Sequence, residues 1–459
     1  MSVGGAVTFP TVLLHQLKAN DSSIQLYFDT ASWIGAIHGL AGLPSILMPT
    51  IMQWQGRKNA FIAACLISIT GWILTYTAKT STALLISESF HGLGNNCIYA
   101  VTCLSMTEMI APRYRDAFIQ MYFAAEFIMM ALTGLMVQFI HWKTISIIMC
   151  VPMILALLTA CQWPESPYWL AYKGEFAKCE QAFLLLRGTE TNSKKELEEL
   201  IHAQKERVSE AKTTNTKSLN KFWNKIASAD FYVPCVHIFV LEYLVYGTGC
   251  IVIVIYSIEL IQKATSNENI VFLSSFIVNI IIFLGSVLSI VINKYLNKKT
   301  VLLSSILGAT GSLVSASVVS YLQSIGTISE KSLVCLFCLV IYLISISLGI
   351  MPLAYPIASA LIPVKHRGIG GMLYVTNTCV LHTLTLKLSP YLFLYINLWG
   401  TFLVFAANGI CCGLIIWKFI PETKGRTLQE IEDFYTYGNF IARNLEKINE
   451  NLVPMILND

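Results

Sequence analysis

The chain has 459 residues, 55% of them hydrophobic and 13% charged, with a mean hydropathy of +0.61 and a formal net charge of +4. Soluble domains carry about 25% charged residues, so this composition excludes a soluble globular protein. A charge this small, with Lys and Arg set mainly between apolar runs, also excludes a nucleic-acid binder.

Apolar stretches of roughly 20 residues recur from end to end, and a backbone in lipid must satisfy its own polar groups, so an all-α membrane protein is predicted. Residues 1–17 are apolar but barely cross a hydrocarbon core of about 30 Å at about 1.5 Å per residue. They carry no basic n-region and no A-x-A-like site, so they read as a short or truncated first helix and not as a signal peptide. Asn20-Asp21-Ser22 follows as a glycosylation sequon. Spans are then predicted at 31–53, 59–78, 82–104, 117–140 and 143–162. A polar linker at 163–230 contains two helix-like segments of mixed charge, too short to bury a core of their own. Six further spans follow at 232–262, 270–292, 300–322, 332–358, 369–394 and 397–420. The domains expected are therefore residues 1–162, a linker 163–230, residues 231–420 and a C-terminal tail 421–459.

If the N-terminus is cytoplasmic, the loops on that side and the chain end from Lys418 onward hold 25 of the 31 Lys and Arg residues. The positive-inside bias therefore places both termini in the cytoplasm and Asn20 outside. The thirteen cysteines, among them Cys65, Cys150, Cys250 and the Cys411-Cys412 pair, fall mostly in apolar runs and read as small buried hydrophobes. Cys335 and Cys338 form a C-x-x-C with no second ligand pair at metal spacing, so neither metal nor cofactor is expected.

Three loop signatures occur once in each half. PESPYWL at 164–170 is echoed by PETKGRTL at 421–428, 257 positions on. IAPRYRD at 110–116 is echoed by IPVKHRG at 362–368, and QWQGRKN at 53–59 more weakly by NKYLNKK at 293–299. One spacing of roughly 250 linking three loops predicts two six-helix halves in parallel orientation, with a site between them. Each Pro-Glu motif ends a span: Ser166-Pro167 reads as an N-cap and N1 pair, and Thr427 to Glu430 as a capping box.

Ionisable residues inside a membrane are expensive and usually face the bundle interior. Glu126 is the most deeply placed, a candidate solute or proton ligand whose alternative is a paired or protonated helix contact. Glu242 opens its span and reads as structural, and Glu88 stands at i−3 from His91, a local pairing distance. Gly92 and Gly94 permit close helix packing. Tyr122, Met129 and Met130 read as helix or lipid contacts.

With PESPYWL, PETKGRTLQEIE at 421–432, Gly56-Arg57-Lys58, the Glu108 and Arg115 pair, and SLGIMPLAY at 347–355, the chain resembles the sugar porters of the major facilitator superfamily. It is most similar to the arthropod facilitated trehalose transporters and the facilitative glucose transporters. The resemblance implies uniport of a sugar such as trehalose or glucose by alternating access in the plasma membrane, with a small solute and the bilayer as partners. It implies a solute site drawn from Asn279, Asn377, Tyr355, Glu126, Ser347 and Tyr246. It also implies a cytosolic gate from Glu108, Arg115, Arg367, Arg57, Glu165 and Glu422. No Ser/His/Asp or metal cluster recurs at catalytic spacing, so an enzyme is not expected.

The sequence departs from the family pattern where charge is concerned. Gln53 and Trp54 stand for an Asp and an Arg, Glu88 for an Arg, Ala360 for a Glu, and Tyr168 for the Arg of PESPRWL. Residues 245–251 lack three amides of the seventh-helix motif, and Phe123 falls near the fifth-helix Gln. Unpaired polar groups in a dry cavity cost about 1–3 kcal/mol each, so a site poor in amides suits a less polar solute. A solute receptor or regulator with little transport is the alternative that these departures keep open.

Overall fold

The computed structural model describes residues 2–18, 28–136, 139–189, 228–257, 268–329, 332–362 and 367–426, together with Leu260 and scattered residues in 193–204 and 430–438. The first half comprises α1 (Ser2–Lys18), α2 (Phe28–Ala41), a 3-10 turn (Leu43–Leu47), α3 (Met48–Gln55), α4 (Arg57–Thr77), α5 (Ser81–Met109), α6 (Pro112–Met136) and α7 (Trp142–Gln162). The linker holds α8 (Pro167–Tyr172) and α9 (Phe176–Arg187). The second half comprises α10 (Ala229–Gly247), α11 (Cys250–Ile255), α12 (Glu268–Tyr295), α13 (Lys298–Ser324), α14 (Val334–Leu348), α15 (Ile350–Leu361), α16 (Arg367–Tyr395) and α17 (Asn397–Phe419). No strand occurs among the described residues.

Eight helical stretches among the described residues are apolar and long enough to span a bilayer on composition alone. The remaining crossings, α1, α2 with α3, α5 and α16, are shorter or carry polar residues such as Glu88, Asn95, Asn377 and His382. All four border the cavity described below, so their polarity marks the helices that face the interior. The 17 residues of α1 extend about 25 Å, shorter than α5, α6 and α7 beside it.

Three predicted spans are continuous in hydropathy but broken in backbone. Between α2 and α3, Pro44 and Pro49 stand at the start of successive short helices and allow the 3-10 turn. Between α10 and α11, Gly249 takes a left-handed φ of 79°, which a side chain would resist. Between α14 and α15 the break is at Gly349. Side chains on neighbouring helices recover the freed backbone groups: Tyr342 Oη donates to Thr248 O at 3.0 Å, and Asn408 Nδ2 to Gly247 O at 3.1 Å. Ser305 Oγ accepts from Ile350 N at 3.0 Å and donates to Ser345 O at 2.6 Å. Irregular backbone at membrane depth is tolerated only with partners of this kind.

Within the first half α4 packs on α5 and α7; within the second, α13 packs on α14 and α17. The halves meet along α2 against α16 and along α6 against α12, with α15 reaching over to α5 and α6. Asn293 Nδ2 donates to Gln120 Oε1 across this seam at 3.3 Å. The linker lies against the bundle through Trp169 Nε1, which donates to Gln53 O at 2.9 Å, and Arg187, which donates to the carbonyls of Glu108 and Ile110 at the end of α5. Its small core of Leu170, Ala171, Cys179, Ala182 and Phe183 is tight enough that burial pushes the Cys179 thiol up to about 11. As the sequence predicts, Ser166 caps α8 by accepting from Trp169 N, with Pro167 at N1. The face that carries this linker is called the linker face below.

Candidate solute site and linker-face network

A cavity of about 140 Å³ opens where the two halves meet. At roughly 10–15 Å³ per water it has room for on the order of ten waters, a volume suited to a solute of similar heavy-atom count. Its walls come from both halves: Val3 and Val7 of α1, His38 of α2, Asn95, Asn96 and Tyr99 of α5, and Phe123, Glu126 and Met130 of α6, against Tyr246 of α10, Ile251 and Val254 of α11, Tyr355 of α15, and Thr378 and His382 of α16. The two breaks in the second half bracket it, since Tyr246 and Ile251 flank Gly249 and Met351 and Tyr355 follow Gly349. Unwound helices beside a cavity free backbone and side chains for a ligand.

An aromatic cluster forms the wall nearest the linker face. Tyr355 stacks on Phe123 at 5.3 Å and meets Tyr99 edge-on at 5.6 Å, and Tyr99 stacks on Tyr374 at 6.0 Å. The Tyr99 and Tyr374 hydroxyls are hydrogen-bonded to each other. Tyr99 and Phe123 belong to one half and Tyr246, Tyr355 and Tyr374 to the other, so the cluster bridges the seam. Rings present apolar faces to the C–H faces of a polyol while their hydroxyls remain available for hydrogen bonds.

Behind this surface lie polar pairs that the chain brings from far apart. His38 Nε2 is hydrogen-bonded to Glu88 Oε2 at 2.5 Å, with Glu88 fully buried. His91, which the sequence sets beside Glu88, turns away: its Nε2 bonds Thr75 Oγ1 at 2.9 Å and its ring packs on Trp72 at 4.2 Å. The i+3 pairing expected from spacing is thus replaced by a contact with α2, because Gly92 lets the α2 backbone come within reach. A Cβ at Gly92 would sit 2.4 Å from His38 O. Glu242 Oε1 accepts from Thr378 Oγ1 at 2.6 Å.

Of the residues predicted for the solute site, Glu126, Tyr246 and Tyr355 line the cavity. Asn377 is half-buried on α16, one position from the cavity-lining Thr378, and is not itself among the lining residues. Asn279 is buried in α12, and Ser347 is buried in α14 where α12 approaches at Gly285; neither is among the lining residues. Met130, expected as a helix or lipid contact, does line it. His38, Asn95, Asn96, Tyr99, Phe123, Thr378 and His382 were not singled out as ligands by sequence, and only their recurrence as polar or aromatic residues on the least apolar spans could have marked them.

At the linker face Glu108 is a hub. Arg57 Nε and Nη2 donate to its two oxygens at 2.7 Å each, and Ser166 Oγ donates to Oε2 at 2.7 Å. Glu165 accepts from the backbone N–H groups of Arg57 at 2.8 Å and Lys58 at 3.2 Å. In the other half Glu422 accepts from Lys299 N at 3.0 Å and Lys424 N at 2.9 Å. These contacts tie the linker to the first half and the tail to the second, and none of them joins the two halves. Arg115 is buried in the first turn of α6. The Arg367 side chain, Asn20 and the Thr427 end of the expected capping box lie outside the described residues.

Two six-helix halves closing on a shared cavity between broken helices define a membrane solute carrier of the major facilitator class. The chain belongs to the Sugar (and other) transporter family, whose profile matches residues 11–435. It is 23% identical over 445 residues to the facilitated trehalose transporter Tret1 of Apis mellifera ligustica, covering 94% of this chain and 85% of that one. It is 25% identical over 464 residues to facilitated trehalose transporter Tret1 of Bombyx mori, covering 98% and 88%. Among solved structures, the proton:xylose symporter XylE bound to 6-bromo-6-deoxy-D-glucose superposes with a TM-score of 0.79 at 16% identity, covering 95% of this chain and 97% of that chain. The inward-open form of XylE from E. coli gives 0.65 at 16% identity, covering 94% and 98%.

Proposed function

We propose that this protein moves a sugar such as trehalose or glucose across a membrane by alternating access, with the interhalf cavity as its site. The observation that carries this reading is that one cavity takes walls from both halves and is bracketed by helix breaks at Gly249 and Gly349. Rocking the halves about such a site exposes it to one side at a time. The relatives named as trehalose transporters support a sugar as cargo. Residues 1–18 contain no Asp or Glu, which favours uncoupled, facilitative movement over proton symport. The Lys and Arg bias favours the linker face as cytoplasmic, both termini with it, and the plasma membrane is the location in keeping with a sugar uniporter. In this reading residues 1–162 and 231–420 are the moving halves, 163–230 the linker and 421–459 the tail, with Arg57, Glu108, Arg115, Glu165, Arg367 and Glu422 lining the cytoplasmic gate.

A second reading has its own support in the aromatic wall. With Tyr99, Phe123, Tyr355 and Tyr374 clustered together, the cavity favours a solute with a broad apolar face, or a receptor that binds such a solute with little transport. Uptake and counterflow of labelled trehalose and D-glucose in vesicles holding the purified protein decide between them. Saturable counterflow insensitive to a pH gradient is expected; binding without counterflow would sink the transporter reading.

A further inference from the structure

Two histidines face the cavity, one from each half: His38 on α2 and His382 on α16. The His38 ring is held in place. Glu88, fully buried behind it, takes Nε2 at 2.5 Å, and its other oxygen has no hydrogen-bond partner among the described residues. A ring tied through Nε2 has Nδ1 left for a solute, and because Glu88 takes the Nε2 side it decides which way that nitrogen points. The backbone is held too: α5 presses on His38 at Gly92, and α16 presses on the next residue, where a Cβ at Gly39 would lie 2.2 Å from Thr383 Oγ1.

His382 supplies the complementary half. Its Nδ1 is buried with no partner among the described residues, and its ring meets Tyr246 edge-on at 6.0 Å. An imidazole nitrogen left unpaired in a dry site is costly, and a hydroxyl from the cargo would satisfy it. The described residues that line the cavity include no Lys or Arg, and the acid on the α6 wall is Glu126. Neutral hydroxyls, which both donate and accept, suit two imidazoles in such surroundings.

We propose that His38 and His382 hold hydroxyl groups of the solute from opposite halves, and that Glu88 is a positioning residue that fixes His38 for this contact. The proposal rests on the sugar-transport reading and names two of its ligands. A solute gripped from both halves binds best when the halves are together, so these contacts favour the occluded arrangement over either open one. A buried His38–Glu88 pair with a merely structural role would behave differently, and kinetics separate the two.

The test uses the full chain in vesicles, with D-glucose, trehalose and the monodeoxy-D-glucoses as probes. His38→Phe and His382→Phe are expected each to raise KM about tenfold or more with the amount of folded protein unchanged, and His38→Gln to recover most of the affinity. Glu88→Gln is expected to raise KM in the wild-type background and to add nothing beside His38→Phe. Should a Phe variant fail to fold, His38→Ala and His382→Ala carry the test: one deoxy position must weaken the wild type yet leave the Ala variant unaffected. Unchanged KM in the variants, or deoxy effects that simply add, would overturn this inference and leave the sugar-transport reading standing. A wild-type protein that neither binds nor moves any of these sugars overturns both.

Discussion

Glu165 and Glu422, 257 positions apart, occupy equivalent places: each carboxylate closes the N-terminus of the third crossing of its half, Glu165 on Arg57 N and Lys58 N of α4 and Glu422 on Lys299 N of α13. The first N–H groups of a helix lack intrahelical partners, and an anion there also meets the positive end of the helix dipole. The Pro before each Glu stops the preceding crossing, so one short motif ends a helix and caps another. Glu165→Ala and Glu422→Ala are each expected to destabilise the protein by about 1 kcal/mol. The double variant should sum the two, because the caps share no partner. Thermal melting of the detergent-solubilised protein measures it; strong non-additivity would show that the two caps communicate.

The Arg57–Glu108 pair is of another kind. Both side chains are buried, with fork-to-fork geometry at 2.7 Å on each arm. Removing one partner from such a pair leaves a desolvated charge behind, at about 3–5 kcal/mol. Glu108→Ala is therefore expected to lower the yield of folded protein sharply, and Arg57→Met with Glu108→Met to recover much of it. Expression and melting of the single and double variants decide this: a mild Glu108→Ala would mean that Ser166 and water suffice for Arg57.

How much of this was legible in the sequence follows from what kind of signal each feature leaves. The all-α fold, the two halves and the ends of the crossings are written in runs and repeats, and PESPYWL with PETKGRTL carried most of that information. Glu126, Tyr246 and Tyr355 could be found because an acid in an apolar run is conspicuous and the two tyrosines align with family motifs. His38 and His382 could not, since a lone histidine on an apolar helix leaves no local trace of what it faces. Glu88 shows the limit most clearly. Its spacing pointed to His91, three residues on, but Trp72 and Thr75 of α4 claim that ring, and a glycine brings His38 in from 50 positions away. Likewise the breaks at Gly249 and Gly349 are invisible to hydropathy, because the residues on either side remain apolar.

Gly92 and Gly311 are both helical glycines with opposite surroundings. A Cβ at Gly92 would lie 2.4 Å from the His38 carbonyl oxygen, whereas one at Gly311 would meet nothing within 4 Å. Gly92→Ala must push α2 away from α5, and overpacking of this sort costs about 1–3 kcal/mol. Gly311→Ala is expected to be neutral or stabilising by up to about 1 kcal/mol, as alanine is the better helix former. Gly92→Ala should also disturb solute affinity through His38. Melting temperatures of the two variants check the first claim and KM the second; equal melting temperatures would contradict the packing argument.

The hydroxyls of Tyr99 and Tyr374 join the halves beside the cavity, on the side of the linker face. Opening that face must break this hydrogen bond and part the stacked rings, so the pair favours the closed arrangement. A single hydrogen bond contributes about 0.5–1.5 kcal/mol, so Tyr99→Phe should shift the balance between closed and open linker face by roughly two- to tenfold toward open. Trp54 at the end of α3 and Tyr295 at the end of α12 are exposed, one on each half at this face. Spin labels at these two positions would read the separation directly by pulsed dipolar spectroscopy. A larger fraction of long distances in Tyr99→Phe and in Tyr374→Phe, with no further gain in the double variant, is the expected result. If the distance distribution stays as in the wild type, the aromatic wall shapes the site without holding the halves together.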